Sequence, residues 1–334
     1  MDPIEMVITG GTPDHLNWNT VLRSYAAEGF EEVLGSKAVA NVPLEMADER
    51  VLREHPRLVL VFGSCFVDSC NYSRLRDACD RIGCPLAFWL HDDPYEFDAA
   101  ARVVRLADHI FSNDRWAAEH YHRDRVWHLP LAASPTAHRR SHNDEMTRDV
   151  FFCGIAYKSR RRIIQDLAHV LRSVRTEIFG DGWDSKALPF CINRRVDNAG
   201  LADRYAASRV VLNLGRDFHL SNQKYQLDPS TPGPRTFEAA MAGSCQMMFA
   251  DSLEILDYFK LDEEIVLFDN PKEFEELLTD LLEHPNKRAA IGMAAQARCL
   301  KDHTYACRAR AMLRCIGLEL PQAASGAEMV KKAA

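Results

Sequence analysis

Residues 58–94 read LVLVFGSCFVDSCNYSRLRDACDRIGCPLAFWLHDDP, and two runs inside them set the fold class. LVLVF (58–62) and PLAFWL (85–90) are continuously apolar over strand length, as strands covered on both faces require. Residues 72–82 between them have helical character and stop at Gly83. Strand, helix and strand in this order form the crossover unit of a parallel sheet.

The alternation extends both ways. Residues 6–9 form a short β-branched run ending at Gly10-Gly11, and residues 18–28 are helical, stopping at Gly29. After PLAFWL come a helical stretch (97–107), a strand (109–112), a short helix (117–121) and a strand (126–129). Residues 130–149 then lose periodicity and turn polar, reading as an interdomain connection. The grammar restarts with strands at 150–153, 176–179, 210–214, 245–249 and 265–268, a helix opening at 236, and two terminal helices at 286–300 and 304–316. The expectation is an α/β protein of two Rossmann-like, doubly wound domains facing across a cleft. Residues 1–135 form the first domain, 136–149 the linker, 150–300 the second, 301–320 a helix crossing back to the first, and 321–334 a loose tail. Such sheets place ligands at the carboxyl ends of their strands, so the strand-to-helix loops carry the functional candidates.

The bulk composition narrows the function. A charge of −7, from 41 Lys and Arg against 48 Asp and Glu, disfavours non-specific nucleic-acid binding. The lack of a ~20-residue apolar run predicts no membrane span, and the N-terminus reads as a first strand rather than a signal peptide, giving an expected cytoplasmic address. The ten cysteines are then expected as thiols, with Cys65 and Cys84 packing as small apolar side chains. GGTPDHLN after the first strand lacks the third glycine of a dinucleotide fingerprint. Neither a P-loop nor a G-x-S-x-G elbow occurs.

Pro234-Arg235-Thr236-Phe237-Glu238-Ala239-Ala240-Met241-Ala242-Gly243 resembles the glycosyltransferase signature R-x-F-E-A-x-A-x-G. His303-Thr304-Tyr305 followed by Arg308 resembles the closing element of the same family, and FWLHDDP (88–94) and ADHIFS (107–112) resemble its N-terminal elements. The chain is thereby similar to the CgeB-like, spore-maturation type of glycosyltransferase, whose donor domain belongs to the GT-B group. The resemblance implies a transferase moving sugar from a nucleotide-diphosphate sugar to an acceptor nucleophile, with no metal or other cofactor and a lean toward retention. The acceptor stays open among small molecule, glycan, protein and nucleobase, as does the oligomeric state. In the wider retaining group an acidic residue stands eight positions before the one matched by Glu238; here that position is Ser230.

Candidate roles follow. Glu238 accepts from ribose hydroxyls, as the resemblance implies, while Arg235 and Thr236 at the opening of the helix hold a diphosphate. Lys158 and Arg160, the loop-side members of a basic cluster, offset leaving-group charge. Gly182 and Trp183 end a strand where close backbone approach and stacking on a base are available. Asp14 and His15 in the first loop are candidate general bases for an inverting alternative. Asp93 is a third catalytic candidate, with His91 and Asp92 set against the acceptor. A degenerate nucleotide-sugar-binding protein and a GT-B-fold epimerase are the other readings.

Overall fold

The computed structural model describes residues 4–16, 20–67, 70–141, 145–217 and 219–318. The expected loose tail at 321–334 lies outside them.

Two six-stranded sheets make the frame, and every strand pair within them is parallel. The first contains β1 (Met6–Gly10), β2 (Val39–Val42), β3 (Leu58–Gly63), β4 (Leu86–Leu90), β5 (His109–Ser112) and β6 (Val126–His128), in the order β2-β1-β3-β4-β5-β6. The second contains β7 (Arg148–Cys153), β8 (Thr176–Gly180), β9 (Cys191–Asn193), β10 (Ser208–Asn213), β11 (Gln246–Phe249) and β12 (Val266–Phe268), in the order β12-β11-β10-β7-β8-β9. The apolar runs read from the sequence, β3 and β4, are buried along their whole length, as covering helices on both faces demand. In each sheet the strand order reverses beside the first strand of the unit. These reversals lie between β1 and β3 and between β7 and β10.

Several local expectations are corrected. Gly29 does not end its helix, which runs Thr20–Leu34. A Cβ there would come within 2.4 Å of the Tyr305 backbone, so glycine serves close packing of this helix on the helix Tyr305–Ile316. β2, the following helix Ala47–Glu54 and the three-residue β9 were not anticipated, because each is short and carries polar residues. Residues 97–107 form a 3₁₀ turn, Phe97–Ala100, and a four-residue helix, Ala101–Val104. The predicted connection contains the short helix Pro135–His138, and β7 begins at Arg148.

The segment 219–233, which follows β10, leaves its own domain and lies on the other. The Leu220 and Ser221 N–H groups donate to the Tyr95 carbonyl at 3.0 and 2.9 Å. Asp98 Oδ2 accepts from the N–H groups of Gln223 and Lys224 at 2.8 and 2.9 Å, and Leu227 is buried in the N-terminal core. This strap ties the domains together and brings its two ends to the cleft.

Candidate active site

The carboxyl ends of β4, β5, β10 and β11 converge on a cavity of about 190 Å³ between the domains. Its N-terminal wall carries His91, Asp92, Asp93 and Asp114, and its C-terminal wall carries Arg160, Arg216 and Arg235.

Arg160 sits over the reversal between β7 and β10. Its guanidinium donates to the carbonyls of Gly215 (2.8 Å), Leu214 (3.1 Å) and Ile155 (3.2 Å), so the backbone leaving both strands holds it in place. Burial pulls its pKa down to about 10. Among the described residues no carboxylate lies within ion-pair distance of it, so its charge is left for an anion in the cavity. Arg235 lies in the first turn of the helix Pro234–Met241, whose opening residues form part of the wall. A helix opening presents backbone N–H groups without intrahelical acceptors, which suits a phosphate. Thr236 is buried at the same edge.

Arg216 bridges the domains. It donates to Asp92 Oδ1 at 3.1 Å and stacks 3.5 Å from the centre of the Tyr95 ring. The other Asp92 oxygen is 3.1 Å from His91 Nδ1. Burial opposes protonation of His91, yet the Asp92 carboxylate outweighs it and holds the imidazole above its ordinary pKa. Burial also acts against the Asp92 charge, but His91 and Arg216 override it and drive that carboxyl well below the usual range. This is a fixed His–Asp pair: the carboxylate orients Nδ1 and leaves Nε2 for another partner. Asp93 is buried and accepts from Ser112 Oγ at 2.7 Å and Tyr121 Oη at 2.9 Å. Burial pushes its pKa up to about 7.

The other sequence-derived candidates fall elsewhere. Glu238 is not on the wall: it is 1% exposed, and its carboxylate lies behind Arg235, which donates to it at 2.6 Å. Asp14 is engaged by Arg23 at 2.6 and 3.0 Å, and His15 is exposed; neither lines the cavity. Lys158 is exposed at the start of its helix and also off the wall. Trp183 is a core residue, its indole N–H donating to the Gly154 carbonyl at 2.9 Å, which leaves no face for a base. Gly182 is exposed with φ +84° and its N–H bound to Asn193. Among the described residues no group of three or more His, Cys, Asp or Glu is placed to hold a metal, and no helix is long and apolar enough to cross a membrane.

Sequence reasoning missed Asp114 and Arg216. Asp114 Oδ1 caps the helix Arg115–His120 by accepting from Ala117 N–H. Its Oδ2 accepts from Ser230 N–H (2.8 Å), Ser230 Oγ (3.2 Å) and Thr231 N–H (3.1 Å). Position 230, where the resemblance implies an acid, is here the donor to an acid from the opposite domain. Each missed residue stands two positions after a predicted strand, a signal the strand-end rule supplies.

Comparison with known proteins bears on the fold and the family. Residues 159–314 match the family described as "Glycosyl transferase-like". Spore protein CgeB of Bacillus subtilis is 22% identical over 236 residues, covering 66% of this chain and 72% of that protein. The crystal structure of Anabaena HepE in complex with UDP and glucose superposes with a TM-score of 0.64 at 12% identity, covering 94% of this chain and 99% of HepE. AviGT4, a glycosyltransferase involved in avilamycin A biosynthesis, gives 0.63 at 12% identity over 93% of this chain and 96% of its own. Its C-terminal half is thus similar to a glycosyltransferase family, and the chain has the two-domain GT-B fold of these enzymes and resembles the CgeB protein.

Proposed function

We propose that the protein transfers a sugar from a nucleoside-diphosphate sugar, UDP-linked by analogy with the HepE complex, to an acceptor hydroxyl in the interdomain cavity. The observation that carries the reading is Arg160, a half-buried cation held over the strand reversal by three carbonyls, with no carboxylate within ion-pair distance among the described residues. On this reading the diphosphate lies between Arg160 and the opening of the Pro234–Met241 helix, and arginine charge rather than a metal offsets the leaving group. Arg235 turns from Glu238 to the phosphates, and the uncovered carboxylate takes the ribose hydroxyls.

The family resemblance implies retention of anomeric configuration. The His91–Asp92 pair favours a second reading, inversion. There His91 Nε2 takes the acceptor hydroxyl proton as that oxygen attacks the anomeric carbon. The bond from that carbon to the phosphate oxygen breaks, and the nucleoside diphosphate leaves against Arg160 and Arg235. Both readings need domain closure to exclude water.

Thermal unfolding with UDP and UDP-glucose tests the assignment. A ligand at 100 times its Kd stabilises by about 2.7 kcal/mol, which raises the melting temperature measurably. Arg160→Met, Arg235→Ala and Glu238→Ala are each expected to abolish most of that rise. Unchanged shifts in all three variants refute the donor placement. NMR of donor and product separates retention from inversion, and interconversion of the donor without acceptor would mark an epimerase instead.

A further inference from the structure

A second groove, of about 520 Å³, opens beside the cavity and shares its wall at Gly215, Arg216, Asp251 and Ser252. Its volume lies within the ~300–1,000 Å³ of ordinary small-ligand sites. Two apolar side chains from opposite domains flank it: Trp116, 47% exposed, on the helix Arg115–His120, and Leu253, 66% exposed, just after β11. Their separation is fixed, because Arg115 donates to Asp257 at 2.6 Å and its N–H donates to Thr231 Oγ at 3.1 Å. The polar part of the lining sets Arg162 and Arg216 against Asp217, Asp228 and Asp251, with Ser159 and His219 beside them. Asp217 is tethered by the Ser159 N–H at 2.9 Å.

Resting on the transferase reading above, we propose that this groove holds the acceptor and that the acceptor is a neutral saccharide. A half-exposed indole offers a flat apolar face for the C–H face of a pyranose, while carboxylates, a hydroxyl and an imidazole supply the acceptors and donors that vicinal hydroxyls need. Two arginines against three aspartates leave the groove no cationic surplus to draw in an anionic acceptor. A lipid tail would need a continuous apolar lining, which the polar side chains interrupt. The shared wall at Arg216 and Asp251 lets an acceptor hydroxyl reach the anomeric carbon of a donor in the cavity without leaving the groove.

Saturation-transfer NMR tests this with UDP-saturated protein and a panel of methyl α- and β-glucosides, maltose, cellobiose and, as a contrasting probe, phenol. Transfer to the ring C–H protons of at least one sugar is expected. It should be lost in Trp116→Ala and retained in Trp116→Phe, while the UDP-induced thermal shift is the same in all three proteins. With an active sugar pair, Trp116→Ala raises the acceptor KM by about tenfold, as loss of an aromatic contact implies, and leaves the donor KM unchanged. No transfer to any sugar, transfer to phenol alone, or equal transfer in Trp116→Ala overturns the proposal while UDP still binds. Loss of the UDP shift in the unaltered protein would instead overturn the donor reading.

Discussion

Replacing Asp114 should loosen the strap from the N-terminal domain, and its contacts set the size of the effect. One carboxylate oxygen caps a helix and the other accepts three donors from Ser230 and Thr231. In Asp114→Asn the amide oxygen can serve either side, not both. Turned toward the strap, it forfeits the cap, costing about 1 kcal/mol, and three charge-assisted bonds become neutral, costing roughly 0.5–1 kcal/mol each. The expected loss is about 3 kcal/mol. Asp114→Ala also strands two backbone N–H groups, which cavity water solvates only in part, so its expected loss is about 4 kcal/mol. Urea unfolding followed by tryptophan fluorescence gives both values. A loss in Asp114→Ala no larger than the cap alone, about 1 kcal/mol, would refute the claim that this residue joins the domains.

Three further outcomes are expected. Between about pH 4 and 7 the folded chain keeps a proton on Asp93 that the unfolded chain has released, so stability falls as pH rises through that window; urea midpoints of Asp93→Asn at pH 5 and pH 8 should differ less than those of the unaltered protein. Trp183→Phe removes the bond to the Gly154 carbonyl and should cost about 1 kcal/mol of stability with UDP affinity unchanged; a selective fall in UDP affinity by calorimetry would restore Trp183 as a base-stacking residue. If His91 is the base, kcat/KM falls on the acid side through a pKa above the ordinary imidazole value. Asp92→Asn should move that limb to lower pH, and a limb that stays in place excludes the pair from the proton transfer.

The frame was legible because parallel strands leave an unmistakable trace: β3 and β4 are apolar along their whole length and end abruptly at Gly63 and His91. β2 and β9 left none, since edge strands of three or four residues are too short for a period to register. Residues of the cavity wall were legible where they followed a strand, as with His91, Asp92 and Asp93. Candidates were misread where a local motif had a local use: Asp14 holds Arg23, and Trp183 fills the core. Glu238 and Arg235 were expected to grip two parts of one ligand, but three residues apart on one helix they satisfy each other. A sequence states their proximity and not which of them faces the cavity.

The strap accounts for a serine at position 230, where the resemblance implies an acid. A carboxylate there would meet Asp114, which is 1% exposed and already receives the strap's N–H groups. Two buried acids at that distance repel unless one takes up a proton. Serine instead donates from both its N–H and its hydroxyl, converting the repulsion into an attachment. An acid at 230 is therefore incompatible with an ionised acid at 114, and here the negative charge on the cavity wall is supplied by Asp114 from the opposite domain. The pairing predicts that Ser230→Glu alone destabilises the protein, that Asp114→Ser alone does so as well, and that the double exchange recovers part of the loss. Additive losses in the double variant, measured by urea unfolding, would mean that the two positions are not coupled.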